Sequence, residues 1–195
     1  MVEITLGFLR NHHACAEAVE AWKERGCESD PIKVFGQAMA IERYEWANWV
    51  MVRILNRQQL VHYAVFAAEL VLGLYETLYP NDDRPRKAIE AAKEYLKNPT
   101  YAVCPAAHAA ADSAADAARA AYAARAAHAA AYAAHAAAYA ARAADAAAYA
   151  VSPAAADAAD AAAYAAYAAD AAHAGREVQE RIIEYGITLL GEADG

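Results

Sequence analysis

Residues 105–150 read PAAHAAADSAADAARAAYAARAAHAAAYAAHAAAYAARAADAAAYA, and residues 154–174 read AAADAADAAAYAAYAADAAHA. Both stretches are alanine interrupted at nearly every third or fourth residue by one larger side chain. Alanine is the best helix former, because it loses no side-chain entropy on becoming helical, so both stretches predict helices. The larger interruptions of the first are His108, Asp112, Asp116, Arg119, Tyr122, Arg125, His128, Tyr132, His135, Tyr139, Arg142, Asp145 and Tyr149. Their mean spacing of roughly 3.4 residues is a helical period and not a strand period. A stripe repeating slightly faster than the 3.6-residue turn drifts backwards around a straight helix, and left-handed supercoiling against neighbours removes the drift. Close side-by-side packing follows. Alanine faces allow interaxial distances near the lower end of the roughly 8–10 Å range. Each alanine nevertheless buries little area at about 25 cal/mol per Å². Tyrosine rings lying over a neighbouring alanine surface compensate, with the hydroxyl left in water or bonded to Asp, His or Arg.

The break Val151-Ser152-Pro153 is short, so the two alanine helices are expected to form an antiparallel αα-hairpin. The second stripe runs Asp157, Asp160, Tyr164, Tyr167, Asp170 and His173. Beyond Gly175 ordinary amphipathic spacing returns with Val178, Ile182, Ile183, Tyr185, Ile187, Leu189 and Leu190, which predicts a helix docking back on the N-terminal core. The first hundred residues read as short helices. One runs from His12 to Arg25 and stops at Gly26; one opens at Asp30-Pro31 and reaches Ile41; one spans Tyr44 to Leu55; and a longer one spans Gln58 to Leu78. Asn81-Asp82-Asp83-Arg84-Pro85 is a turn and helix start, and Asn98-Pro99 ends the helix that follows. No segment alternates as a strand does. The expected fold is all-α, a helical bundle with a long alanine-rich antiparallel hairpin, organised as residues 1–100 and 101–195.

The chain has 195 residues and a formal net charge of −8, which disfavours general nucleic-acid binding and favours solubility or a basic protein partner. The alanine tract carries ionisable groups too often for a membrane span. No N-terminal stretch has the form of a secretory signal, which points to a cytoplasmic location. Cys15, Cys27 and Cys104 lack the pair spacing of structural zinc and read as packed thiols. An ice-binding face would want a threonine array, and none occurs between Thr100 and Thr188. Phosphate-loop, nucleophile-elbow and paired-carboxylate patterns are absent, so no catalytic residue, cofactor or metal is expected.

Three places hold chemistry. The first is the stripe Arg119, Tyr122, Arg125, His128, Tyr132, His135, Tyr139 and Arg142, joined by Tyr164 and Tyr167 of the second helix. Tyrosine and arginine are enriched at binding hot spots, and with histidine they also suit a nucleotide. The structural alternative is an inter-helix seam of tyrosines and ion pairs. Because the stripe drifts, a single pocket would use a subset of it plus groups from the second helix. The second place is Asp82-Asp83-Arg84-Pro85-Arg86-Lys87, where three cations in a first helical turn oppose the macrodipole and need compensation. Either Asp82, Asp83 and Glu69 supply it, or Arg84 and Arg86 hold an anion at the helix N-terminus. Glu69 itself, in an apolar run, is expected to pair with Arg53, Arg84 or Arg86. The third, His12-His13-Cys15, reads as a packed cysteine with surface histidines.

Trp46-Ala47-Asn48-Trp49, His62-Tyr63-Ala64-Val65-Phe66-Ala67-Ala68-Glu69 and the run from Tyr79 to Ala92 resemble a family of small α-helical immunity proteins. These occur in bacterial toxin–immunity loci and phage genomes, often with an alanine- and tyrosine-rich tail. The resemblance covers residues 1–100, and the tail matches in composition. It implies a non-catalytic cytoplasmic protein that sequesters or occludes a toxin or immune effector. The alternatives are a phage-type sponge for an anionic, nucleotide-like signal, and a structural helical rod. Alanine faces fit pairing within one chain or in a homo-oligomer.

Overall fold

A computed structural model describes residues 2–99, 114, 117, 132, 134–140, 142, 143, 154–171 and 175–192. Every regular element among these residues is a helix, and the fold is all-α. By its contacts the chain divides into two compact units, Met1–Ile54 and Leu55–Gly195.

In the first unit, α1 (Leu6–Asn11) is capped by Thr5, whose hydroxyl accepts the Phe8 N–H at 3.1 Å. The single helix expected from His12 is instead a turn and a restart. His13 N–H bonds the Arg10 carbonyl and Ala14 N–H bonds the Leu9 carbonyl, at 3.1 and 2.9 Å, with His13 in the left-handed region at φ 58°. Those bonds satisfy carbonyls at the end of α1 and close it. A second helix, α2 (Ala16–Glu24), then begins after Cys15. It stops where the sequence places the stop: Gly26 has φ 89°, a conformation glycine enters without steric penalty. Helix α3 (Pro31–Ala40) opens as expected, with the Asp30 carboxylate accepting Ile32 N–H at 2.9 Å. Helix α4 (Tyr44–Ile54) packs against α3. It buries Tyr44, Ala47, Val50, Met51 and Val52, while Trp46 and Trp49 remain only partly buried.

The second unit is built around α5 (Arg57–Leu78), whose buried residues lie on most of its circumference: Leu60, Val61, Tyr63, Ala64, Val65, Ala67, Ala68, Val71, Leu72 and Tyr75. Its start is a capping box. The Asn56 side chain accepts Gln59 N–H at 3.0 Å and the Gln59 side chain accepts Asn56 N–H at 2.8 Å. Among the described residues α5 alone is long and apolar enough to cross a membrane, yet 56% of that apolar window is buried inside the protein. Helices α6 (Arg84–Lys97), α7 (Ala154–Ala171) and α8 (Gly175–Glu192) all pack against it, α7 most extensively. On α7 the buried face is Ala158, Ala161, Ala162, Ala165 and Ala168, a helical stripe of methyl groups.

Helix α8 packs on both α5 and α7. Phe66 and Tyr185 stack at 4.1 Å between centroids and 17° between planes. Gln59, already part of the α5 cap, also donates its amide N–H to the Leu189 carbonyl. That carbonyl is among the last four of α8, which have no acceptor role left inside the helix. One side chain thus closes the start of α5 and the end of α8. Residues 134–140 are also helical. Ala134, Ala136, Ala137, Ala138, Ala140 and Ala143 are buried, as are Ala114 and Ala117. The Val151-Ser152-Pro153 connection and Cys104 lie outside the described residues.

Methyl-to-methyl contact leaves no room for a larger side chain at α7. Ala165→Leu is expected to destabilise the protein by about 1–3 kcal/mol through overpacking. Ala40→Leu, at an exposed position of α3, is expected to change stability by less than about 0.5 kcal/mol. Urea midpoints at equal m-value check both.

Candidate functional site

At about 100° per residue, Tyr132, His135, Tyr139 and Arg142 fall within a sector about 80° wide, and the buried alanines of the same segment occupy the remainder. The 3-4-3 spacing therefore keeps these four together despite the drift of the longer stripe. They meet α7. Tyr164 stacks with His135 at 4.8 Å and 26° and with Tyr139 at 5.2 Å and 12°, and approaches Tyr132 at 6.1 Å. Tyr167 lies 5.6 Å from Tyr132 and edge-on to Tyr164 at 6.1 Å. The Arg142 guanidinium stands 5.2 Å over the Tyr139 ring, and its charge acts on Asp160. As the residue number rises from 132 to 142, the partner number falls from 167 to 160. The segment and α7 are antiparallel.

The result is a continuous aromatic array on two alanine helices. Its members are partly buried, except Tyr167, which is 53% exposed. Offset and edge-on rings at these separations each contribute about 0.5–1.5 kcal/mol beyond burial, and the cation–π contact about 0.5–1 kcal/mol. Partial burial, then the Tyr139 hydroxyl and the Asp160 carboxylate, push the Tyr164 hydroxyl up, so it stays protonated at neutral pH. Chemically the array offers rigid rings, neutral hydroxyls and one cation. Arg119, Tyr122, Arg125 and His128 lie outside the described residues.

The charged string before α6 forms a knot. Asp82 Oδ1 accepts from the Arg84 backbone N–H and Nε at 3.2 and 2.8 Å; Oδ2 accepts from Tyr75 Oη and Arg84 Nη2 at 2.7 and 2.5 Å. Hydrogen bonds from Arg84, then from Tyr75, hold the Asp82 carboxyl well below the usual carboxylate range, against the opposing effect of burial. Burial and the Asp82 carboxylate push the Tyr75 hydroxyl up. Arg86 makes a two-bonded pair with Glu76 at 2.6 Å, and Lys87 pairs with Asp83 at 2.9 Å. All three cations are therefore compensated by side chains, and Arg84 and Arg86 do not converge with the aromatic array through any contact among the described residues. Glu69 is exposed and pairs with Lys93, not with Arg53, Arg84 or Arg86, because α6 runs antiparallel to α5 and brings residue 93 opposite residue 69 as it brings 86 opposite 76. Arg53 instead covers the Trp49 ring at 3.8 Å.

Cys15 and Cys27 are exposed rather than packed, since the turn at His13 rotates Cys15 to the start of α2 and Cys27 follows the left-handed Gly26. Among the described residues no three His, Cys, Asp or Glu side chains gather as metal ligands. Sequence reasoning missed a cavity of about 400 Å³ in the first unit, on whose wall Trp22, Trp46 and Trp49 all lie. The signal was present: these are all three tryptophans of the chain, within the first fifty residues.

Asp82 links the knot to pH. Its carboxyl titrates lower in the folded than in the unfolded chain, so its stabilisation is complete above about pH 4 and declines as pH falls below that. Asp82→Asn is expected to cost about 1–2 kcal/mol at pH 7, partial exposure of Arg84 limiting the loss, and to flatten the acid limb of the stability profile between about pH 4 and 2. Urea unfolding across that range checks it. Compared with known proteins, the chain matches no family model, no curated protein and no solved structure.

Proposed function

We propose that this chain is a non-catalytic cytoplasmic binding protein of bacterial or phage conflict, which captures a toxin or immune-effector protein on the aromatic array of its alanine helices. The observation that carries this reading is the array's form: rings fixed against one another on a helical base, ending in a Tyr167 that is 53% exposed. Tyrosine gives large contact area with only two side-chain torsions to immobilise, and stacking has already immobilised them. A capture surface needs that kind of pre-organisation. The exposed Asp160 beside it and the net charge of −8 suit a basic partner. The resemblance of residues 46–49, 62–69 and 79–92 to immunity proteins points the same way.

A nucleotide sponge would draw on an open slot between rings with unpaired arginines on the phosphates. Among the described residues of the array, Tyr164 is already stacked on two neighbours, and Arg142 lies over the Tyr139 ring with its charge acting on Asp160. Protein capture is therefore the favoured reading.

Native mass spectrometry of the full chain recovered from its own host cells is expected to show a stoichiometric complex with one protein. Tyr167→Ala, at an exposed position, should leave the helical signal and unfolding midpoint unchanged and weaken that complex roughly five- to thirty-fold, the effect of losing about 1–2 kcal/mol. Recovery of a small phosphorylated molecule in place of a protein overturns the proposal. So does a complex indifferent to Tyr167→Ala.

A further inference from the structure

We propose that the cavity of the first unit is a binding site for a neutral, apolar aromatic small molecule. Its volume of about 400 Å³ lies in the range of small-molecule sites, about 300–1,000 Å³. One wall is a face of α2, on which Ala18, Ala21 and Trp22 recur at helical spacing, preceded by Ala14. The opposite wall is α3 with Val34 and Ala38, its cap residue Ile41, and Trp46, Trp49 and Val50 of α4. Helix α2 is amphipathic yet has no buried residue, because its apolar face opens on this space instead of packing.

Polar ties hold α2 at this separation. Glu17 pairs with Arg43, the Trp22 indole N–H donates to the Glu28 carbonyl at 2.7 Å, and the Gln37 amide donates to the Arg25 carbonyl at 3.5 Å. These contacts are made with α2 at its observed distance from α3 and α4, where all three tryptophans remain incompletely covered. Protein interiors are close-packed, and an apolar concavity of this size is the place where a ligand's apolar surface gains most by leaving water.

The walls define the ligand's chemistry. Aromatic character follows from three indoles, which favour offset or edge-on rings at centroid separations of about 4.5–7 Å. Two of the indoles are fixed beforehand: Arg53 covers Trp49 at 3.8 Å, Phe8 meets it edge-on at 6.5 Å, and Arg43 lies 4.9 Å from the Trp46 ring. Neutrality follows from the rim. The lining is apolar apart from His13, Arg25, Gln37 and Glu45; Glu45 pairs with Arg43 at 3.3 Å and Arg25 donates to the Ala21 carbonyl at 3.0 Å, so no cluster of like charge faces the ligand. The volume suits about two to three rings. This site is carried by residues separate from the aromatic array, and its test is independent of the partner experiment.

The probe is N-phenyl-1-naphthylamine, a neutral two-ring-system dye. Every tryptophan of the chain lies on the cavity wall, so tryptophan emission, excited where the thirteen tyrosines do not absorb, reports on this site. Saturable one-to-one quenching of tryptophan emission with sensitised dye emission is expected. Ala18→Phe, which fills the cavity from α2, should weaken binding at least tenfold while the unfolding midpoint holds or rises; Ala21→Leu repeats the comparison with a smaller filling should the first variant misfold. Ala40→Phe, at an exposed site outside the cavity, should leave the titration unchanged. In the wild type, saturating dye should slow alkylation of Cys15, which lines the cavity, and not of Cys27, which is exposed elsewhere. Non-saturating adsorption of dye, full binding by both filled variants, or equal alkylation of the two thiols overturns the proposal.

Discussion

The second unit depends on the close approach of α7 to α5. Ala158, Ala161, Ala165 and Ala168 on one helix and Ala64, Ala67 and Ala68 on the other are all fully buried, and this pair has the most extensive contact of any helices described. A methyl face lets two backbones come together, but it stabilises little per residue, at about 25 cal/mol for each Å² removed from water. The deficit is offset at the edges. Phe66 on Tyr185 closes α8 over α5, and the rings around Tyr164 close the 132–143 segment over α7. Dense alanine interiors and aromatic margins are two parts of one solution: the small residues set the spacing and the large ones supply the burial.

The α5–α6 corner works on a different principle. Tyr75, Asp82 and Arg84 form a hydrogen-bonded knot in which one carboxylate accepts four bonds, and the flanking pairs Arg86–Glu76 and Lys93–Glu69 set the antiparallel register. The outer pairs are solvent-screened and each contributes little. The knot counts for more, because it combines charge-assisted bonds with a largely buried tyrosine and fixes the turn into α6. The unfavourable cations of the first turn of α6 are thereby accommodated without a ligand. The first unit shows the opposite arrangement, a helix held off its neighbours by polar ties so that an apolar concavity survives.

Much of the fold was legible in the residues. Asp30-Pro31, Gly26 and Asn98-Pro99 marked helix ends through capping, left-handed geometry and the missing proline N–H, all of which are local. The misplaced start at His12 had a physical cause: the carbonyls at the end of α1 captured the His13 and Ala14 N–H groups, a competition that periodicity does not record. The 3-4-3 run of Tyr132, His135, Tyr139 and Arg142 was visible as a face, and the need to compensate Arg84, Arg86 and Lys87 was visible as a charge imbalance. Which acid met which base was not. Glu69 and Lys93 are 24 residues apart and meet only because α6 folds back along α5.

By itself the sequence determined the helices, their ends and the faces they present, because propensity, capping and periodicity act within a few residues of one another. Tertiary structure decided everything that requires two helices at a fixed separation. It stacked Tyr164 of α7 on His135 and Tyr139 of the facing segment, exposed Cys15 and Cys27, and drew three scattered tryptophans around one cavity. Distance between helix axes is set jointly by all the side chains between them, and no single stretch of sequence carries that information.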